Sequence, residues 1–252
     1  MKFDKILDNI YRLKVPFENL YTSVFLIREP AGDILFDCAT TRSDAEDIII
    51  PACIELGSTP KHIVCCHSHG DHMGGLPHIL SHFTEARAAF MDKDCAEKNP
   101  SFNAHVLSDG EMITEHVKAI SLPGHSEDSM GLLDTRTSTL LSGDCIQLGG
   151  VSRYGTGVSN AKAYFASLER VENSDIENLI ASHEFYPLGA LALGRSKLEE
   201  YISESRNIAL EIRDFAAKYR DIDCDEIAKL YNSTYSPRPP ISGQTVKVLS
   251  LQ

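Results

Sequence analysis

The segment His67-Ser68-His69-Gly70-Asp71-His72 places three imidazoles and one carboxylate within six positions. Neutral imidazole and carboxylate are the usual protein ligands of zinc and of non-haem iron. Packed so tightly, these side chains point to metal binding. A fold that uses them has to present the segment on a loop and bring further ligands to it from distant parts of the chain. Three downstream motifs offer such ligands: His125 in Pro123-Gly124-His125-Ser126, Asp144 in Ser142-Gly143-Asp144-Cys145, and His183 in Ala181-Ser182-His183-Glu184. Together they make five histidines and two aspartates, enough for two metals sharing one bridging carboxylate.

Each ligand motif follows an apolar or β-rich run. Lys61 to Cys66 reads as a short buried strand, which would hand His67 and His69 to a loop at its carboxyl end. Ligands commonly gather at that end of a strand in α/β proteins. Gly70 is expected to allow a tight turn that points Asp71 and His72 back at the site, and Gly74-Gly75 to let the next helix start close by. Val117 to Leu122, Thr139 to Leu141 and Leu179 to Ala181 precede His125, Asp144 and His183 in the same way.

The rest of the chain alternates strands and helices without repeats. Ile10–Val15, Thr22–Arg28 and Ile34–Asp37 read as strands, and Ser43–Leu56 as a helix with Ser43 as its N-cap. Further strands are expected at 86–91 and 118–122, a hairpin at 129–142, a helix at 161–171 and a core strand at 179–182. Beyond that, 191–219 reads as one long helix or two, 223–231 as a short helix, and Ser236-Pro237-Arg238-Pro239-Pro240 as an extended segment.

The ligand set resembles the metallo-β-lactamase superfamily in its dinuclear, glyoxalase II- and lactonase-like form. The resemblance rests on His-x-His-x-Asp-His followed by a distant His, an Asp and a last His, in that order, over roughly residues 10–190. It implies an α/β (α+β) chain folded as a four-layer αββα sandwich, with a catalytic domain at 1–190 and a C-terminal helical extension and tail at 191–252. His67, His69 and His125 would bind one metal, Asp71, His72 and His183 the other, and Asp144 would bridge. Asp37 resembles the family's earlier, structural aspartate. The implied cofactors are two divalent metal ions, zinc first, with iron or manganese as alternatives. The implied reaction is hydrolysis of a small ester, thioester or lactone by a metal-bridging hydroxide. Asp71 would be the catalytic residue that orients the nucleophile and passes a proton to the leaving group. The alternatives are a mononuclear iron enzyme resembling the persulfide dioxygenases, and a non-catalytic metal-binding protein.

Composition narrows the setting. A formal net charge of −12 argues against nucleic acid as partner and leaves a small-molecule substrate. No apolar run is long enough for a membrane span, and Asp4 and Asp8 interrupt the start where a signal peptide would need an apolar stretch. Seven cysteines in no regular framework suit reduced thiols in a cytoplasm. Cys65 and Cys66 read as core thiols. A homodimer through the C-terminal helices is open to the chain. Tyr21, near Phe17 and Asn19 in the loop expected between the first two strands, Tyr154 beside Arg153, and Tyr186 are the candidate substrate contacts. Packed, hydrogen-bonded tyrosines would look the same in sequence. His62, His78, His82, His105 and His116 fall in no motif.

Overall fold

A computed structural model describes residues 1–219 and 221–251. The chain divides into two compact units, one made of Met1–Ser121 with Leu132–Thr137, the other of Leu122–Gly131 with Ser138–Gln252.

The first unit is built on a seven-stranded sheet whose strands lie in chain order. These are β1 (Asp4–Lys5), β2 (Ile10–Phe17), β3 (Leu20–Ile27), β4 (Ile34–Phe36), β5 (His62–Val64), β6 (Arg87–Phe90) and β7 (His105–Val106). The β1 to β4 pairs are antiparallel and the β4 to β7 pairs parallel. Parallel neighbours need crossovers, and the helices α1 (Ile50–Glu55), α2 (Gly70–Met73), α3 (Leu76–His82) and α4 (Lys93–Lys98) lie in those connections. Leu26, Leu35, Ile63, Leu76, Ile79 and Phe90 form part of its core. Each buried side chain of that size contributes about 1.5–3 kcal/mol.

Two expectations shift here. The helix expected over 43–56 is split into a wider-wound segment, Asp44–Ile49, and α1. Pro51 sits at the join, where it withholds a backbone donor. Ser43 makes no side-chain cap. Its neighbour Asp44 instead accepts from the Thr40 and Thr41 amides. Strands β2 and β3 also run further than expected, down to a two-residue turn, so Phe17 and Tyr21 belong to the strands and not to a loop.

A five-stranded sheet has the order β12-β11-β10-β9-β8. Its members are β8 (Val117–Ser121), β9 (Met130–Asp134), β10 (Thr139–Gly143), β11 (Asn178–Ala181) and β12 (Leu191–Leu193). The second unit adds α5 (Ala161–Glu172), α6 (Arg195–Ala216), α7 (Cys224–Tyr235) and α8 (Gly243–Ser250). Along α6 the buried positions Leu198, Tyr201, Ile202, Ser205, Ile208, Ala209 and Ile212 recur at helical spacing and form its inner face. Residues 191–193, expected to open a helix, form β12 instead. Gly194, at φ 91°, separates strand from helix.

The fold class read from the sequence therefore holds: two mixed sheets with helices, closing on a helical C-terminus. Among the described residues no helix is long and apolar enough to cross a membrane.

Helices α5 and α6 are tied by the Arg206–Glu172 pair, with Nη2–Oε2 at 2.6 Å. The Arg206 hydrogen bond holds the Glu172 carboxyl below its ordinary pKa of 4.5. A depressed carboxyl pKa adds stability that is present above the unfolded value and lost as pH falls through the folded one. Glu172→Gln should therefore lower Tm slightly at pH 7 and leave it equal to the parent once the pH is low enough to protonate Glu172 in the folded chain. The pair is substantially exposed, so the effect should be only about 0.2–1 kcal/mol. A Tm gap that persists in acid would show that the pair contributes no charge-dependent stability.

Candidate metal centre

In the first unit, β4 and β5 lie side by side and both end at the ligand loop. Asp37 follows β4, and Cys65 to His69 follow β5. The Asp37 amide donates to the Val64 carbonyl at 2.8 Å, which keeps the two strand ends in step. Asp37 has φ 69°, a left-handed conformation that aspartate tolerates better than most residues. His69 is the N-terminal flank of α2, and the His72 carbonyl accepts from the Cys38 amide at 2.7 Å.

Four of the expected ligands come together here. The His67 ring centroid lies 4.4 Å from that of His69 and 4.4 Å from that of His72. Asp71 Oδ2 lies 3.5 Å from His72 Nε2. His67 and His72 are buried, while His69 is exposed and Asp71 half-buried. His72 Nδ1 donates to Asp37 Oδ2 at 2.8 Å. That bond selects the tautomer with a bare Nε2, the state a ligating nitrogen needs. Metal-binding histidines are oriented in this way, by a carboxylate or carbonyl on the other nitrogen.

Gly70 does not have the role expected of it. It opens α2, and a Cβ there would meet nothing within 4 Å. The positions without room are Gly74 and Gly75. Their Cβ atoms would lie 1.9 Å from the Thr40 carbonyl oxygen and 2.1 Å from that of Cys38.

In the second unit, Asp144 follows β10 and His183 follows β11. Both are buried, and His183 Nε2 lies 3.5 Å from Asp144 Oδ2. His125 is half-buried, after Gly124, whose φ is 142°. A Cβ at Gly124 would lie 2.5 Å from Tyr164 Cα, so only glycine lets this turn approach α5. His125 Nδ1 has two neighbours at 2.8 Å: the Gly157 carbonyl and the Gln147 amide nitrogen. These contacts call for opposite tautomers. The carbonyl accepts only from a protonated Nδ1, whereas the amide donates only to a bare one. The first leaves Nε2 bare, as a metal ligand needs. The Gln147 amide is fixed by its own oxygen, which accepts from Gly157 N–H at 2.7 Å. Gln147 and Gly157 carried no sequence signal, because neither residue type marks a metal site by itself.

The donor set fits divalent transition metals: imidazoles, with His72 held in one tautomer by Asp37, and carboxylates, in both units. Tyr21 is half-buried beneath the Lys14 ammonium, 4.3 Å from its ring centroid. Tyr154 is exposed, and its hydroxyl accepts from Arg153 at 3.2 Å. The Tyr186 ring is exposed while its backbone bonds to Gly149 and Gly150. Among the unassigned histidines, His78 approaches Glu46 and His105 pairs with Glu111, apart from the ligand loop in sequence and in partners.

The sequence profile described as the Metallo-beta-lactamase superfamily matches residues 18–183. The chain is 31% identical over 147 residues to "Uncharacterized protein YobT" of Bacillus subtilis, covering 50% of this chain and 62% of that one. It is 26% identical over 155 residues to "Atrochrysone carboxyl ACP thioesterase" of Aspergillus fumigatus, covering 60% of this chain and 47% of that one. The chain thus spans less than two thirds of the length of either relative. Its fold is similar to that of the mono-zinc form of metallo-beta-lactamase FIM-1 from Pseudomonas aeruginosa. That match has a TM-score of 0.64 at 17% identity and covers 82% of this chain and 95% of that one.

Proposed function

The chain belongs to the metallo-beta-lactamase superfamily, and on that footing we propose that it is a metal-dependent hydrolase using two divalent ions, zinc foremost, on a small ester, thioester or lactone. The observation that carries this reading is the oriented donor set. His72 is held by Asp37 through Nδ1, as ligating imidazoles are, and the Gly157 carbonyl lies 2.8 Å from His125 Nδ1, where it would hold that ring in the same way.

In this reading His67, His69 and His125 would hold one ion, Asp71, His72 and His183 would hold the other, and Asp144 would serve both. Two ions bound there would supply Lewis-acid chemistry and a hydroxide nucleophile at neutral pH. The chain's own groups do the rest. Asp71, half-buried and open to solvent on one side, orients the nucleophile and delivers a proton to the leaving group. Tyr21, Tyr154 and Tyr186 are the proposed substrate contacts, with phenol hydroxyls as donors to a developing oxyanion. A thioester is favoured within the substrate class, because the Aspergillus fumigatus relative is named a thioesterase. The seven free thiols suit a reducing, cytoplasmic setting. A small molecule is the proposed partner, and a homodimer through the C-terminal helices is the proposed assembly.

The test is metal stoichiometry joined to turnover. Purified protein should carry close to two zinc ions per chain. Exhaustive chelation should abolish thioester and lactone hydrolysis and lower Tm, because metal that binds only the folded chain stabilises it. Zinc should restore both. One iron per chain with oxygen uptake, or hydrolysis indifferent to chelation, would overturn the reading.

A further inference from the structure

Cys66 stands between two ligands that the family pattern gives to different ions. Its side chain is fully buried. Its Sγ lies 2.9 Å from His67 Nδ1, 3.3 Å from His72 Nδ1 and 3.2 Å from Asp37 Oδ2. The Cys66 amide donates to the other carboxylate oxygen, Asp37 Oδ1, at 2.8 Å. Sγ and one nitrogen from each histidine fall within 4.8 Å of one another. Cys65, one residue earlier, points elsewhere, with its sulfur 3.8 Å from that of Cys38.

The proton count of this cluster fixes its polarity. A neutral thiol has one proton and a weakly accepting sulfur. The best acceptor in reach is the Asp37 carboxylate, so the thiol proton goes to Oδ2, beside the His72 Nδ1 proton. The sulfur lone pairs then face His67 Nδ1. For His67 this selects the tautomer with a proton on Nδ1 and a bare Nε2, the same state that Asp37 imposes on His72. One chain of hydrogen bonds, His67 to Cys66 to Asp37 from one side and His72 to Asp37 from the other, therefore sets two imidazoles for ligation.

We propose that the Cys66 thiol is a positioning residue that links His67 and His72 through Asp37 and so couples the loading of the two metals. The proposal rests on the dinuclear reading above. It differs from a packing role, because a packing role needs only volume, whereas this one needs a donor and an acceptor on the same atom.

The experiment compares the parent, Cys66→Ser and Cys66→Ala, each stripped of metal and titrated with zinc against a chromophoric chelator. Cobalt spectra and metal-free Tm are recorded alongside. Cys66→Ala should weaken zinc binding about 10–100-fold, as loss of an orienting partner does, and should make the binding of each ion independent of the other. Cys66→Ser keeps a donor and an acceptor and should recover most of that loss. Nitrogen-15 histidine spectra of the metal-free chains give a second readout: Nδ1–H at His67 in the parent and in Cys66→Ser. If Cys66→Ala does not fold, the serine variant and these spectra decide. Unchanged zinc affinity in a folded Cys66→Ala overturns the proposal and leaves the metal reading standing. A thiolate-to-cobalt charge-transfer band in the parent that vanishes in Cys66→Ser also overturns it, since the sulfur would then be a ligand. Failure of the parent itself to bind zinc removes the metal reading and the proposal together.

Discussion

Asp144→Ala should cost the protein a metal ion and nearly all of its hydrolytic turnover. Asp144 follows β10 and is buried, with Oδ2 3.5 Å from His183 Nε2. As the proposed shared ligand it offers negative charge where two dications would otherwise face only neutral imidazoles and one other carboxylate. Removal of a partner that merely orients a ligand costs about 10–100-fold in affinity or activity. Loss of the shared ligand itself should exceed the upper end of that range. On the proposed two-ion reading, metal per chain should fall from two to one or fewer. Asp144→Asn keeps the shape and drops the charge, so it should behave like alanine in metal content. The metal-free chains separate this effect from misfolding. Stripped Asp144→Ala should keep the folded circular-dichroism spectrum of the stripped parent. Two metals and full turnover in the folded variant would remove Asp144 from the site.

The candidate ligands were legible because three histidines and an aspartate crowd into six positions, and because each candidate motif follows a buried strand whose apolar run is legible. Residues such as Ile63–Val64, Leu140–Leu141 and Leu179–Ile180, all fully buried, lie in the strands that deliver His67, Asp144 and His183. What stayed hidden depends on tertiary proximity. Gln147 and the Gly157 carbonyl acquire their bearing on His125 only when residues 32 apart in sequence meet at 2.8 Å. Cys66 reads as a core thiol, and it is one, but burial alone does not reveal the carboxylate beside it. Strand β12 was lost for another reason. Leu191-Ala192-Leu193 is three residues long, exposes both leucines, and abuts a helix whose apolar period masks it. The split near Pro51 follows from a rule that applies at any helix interior, and it went unread because the surrounding apolar pattern continues through it.

The glycines of the ligand segment offer the sharpest contrast between pattern and packing. Gly75→Ala should destabilise the first unit severely, whereas Gly70→Ala, five residues earlier, should be harmless. At Gly75 a Cβ would sit 2.1 Å from the Cys38 carbonyl oxygen, and at Gly74 it would sit 1.9 Å from that of Thr40. Both obstacles are backbone atoms, so no rotamer change relieves them. The loop they belong to cannot easily retreat: Cys38 donates to the His72 carbonyl at 2.7 Å, and Gly75 donates to the Ala39 carbonyl at 3.2 Å. Relief has to come from moving α2 and α3 away from the end of β4, which drags His72 off Asp37. A forced backbone shift of this kind costs roughly 1–3 kcal/mol or more. At about 2–4 °C per kcal/mol for a chain of this size, Tm should fall by roughly 2–12 °C. Gly70 lies at the start of α2 with open space around its missing Cβ. Alanine there restricts the unfolded chain without strain and should be neutral or should stabilise by up to about 1 kcal/mol. Thermal unfolding of the metal-free variants decides the matter. A Gly75→Ala chain as stable as Gly70→Ala would mean that the close approach of α2 and α3 to the 38–40 backbone does not hold His72 in place.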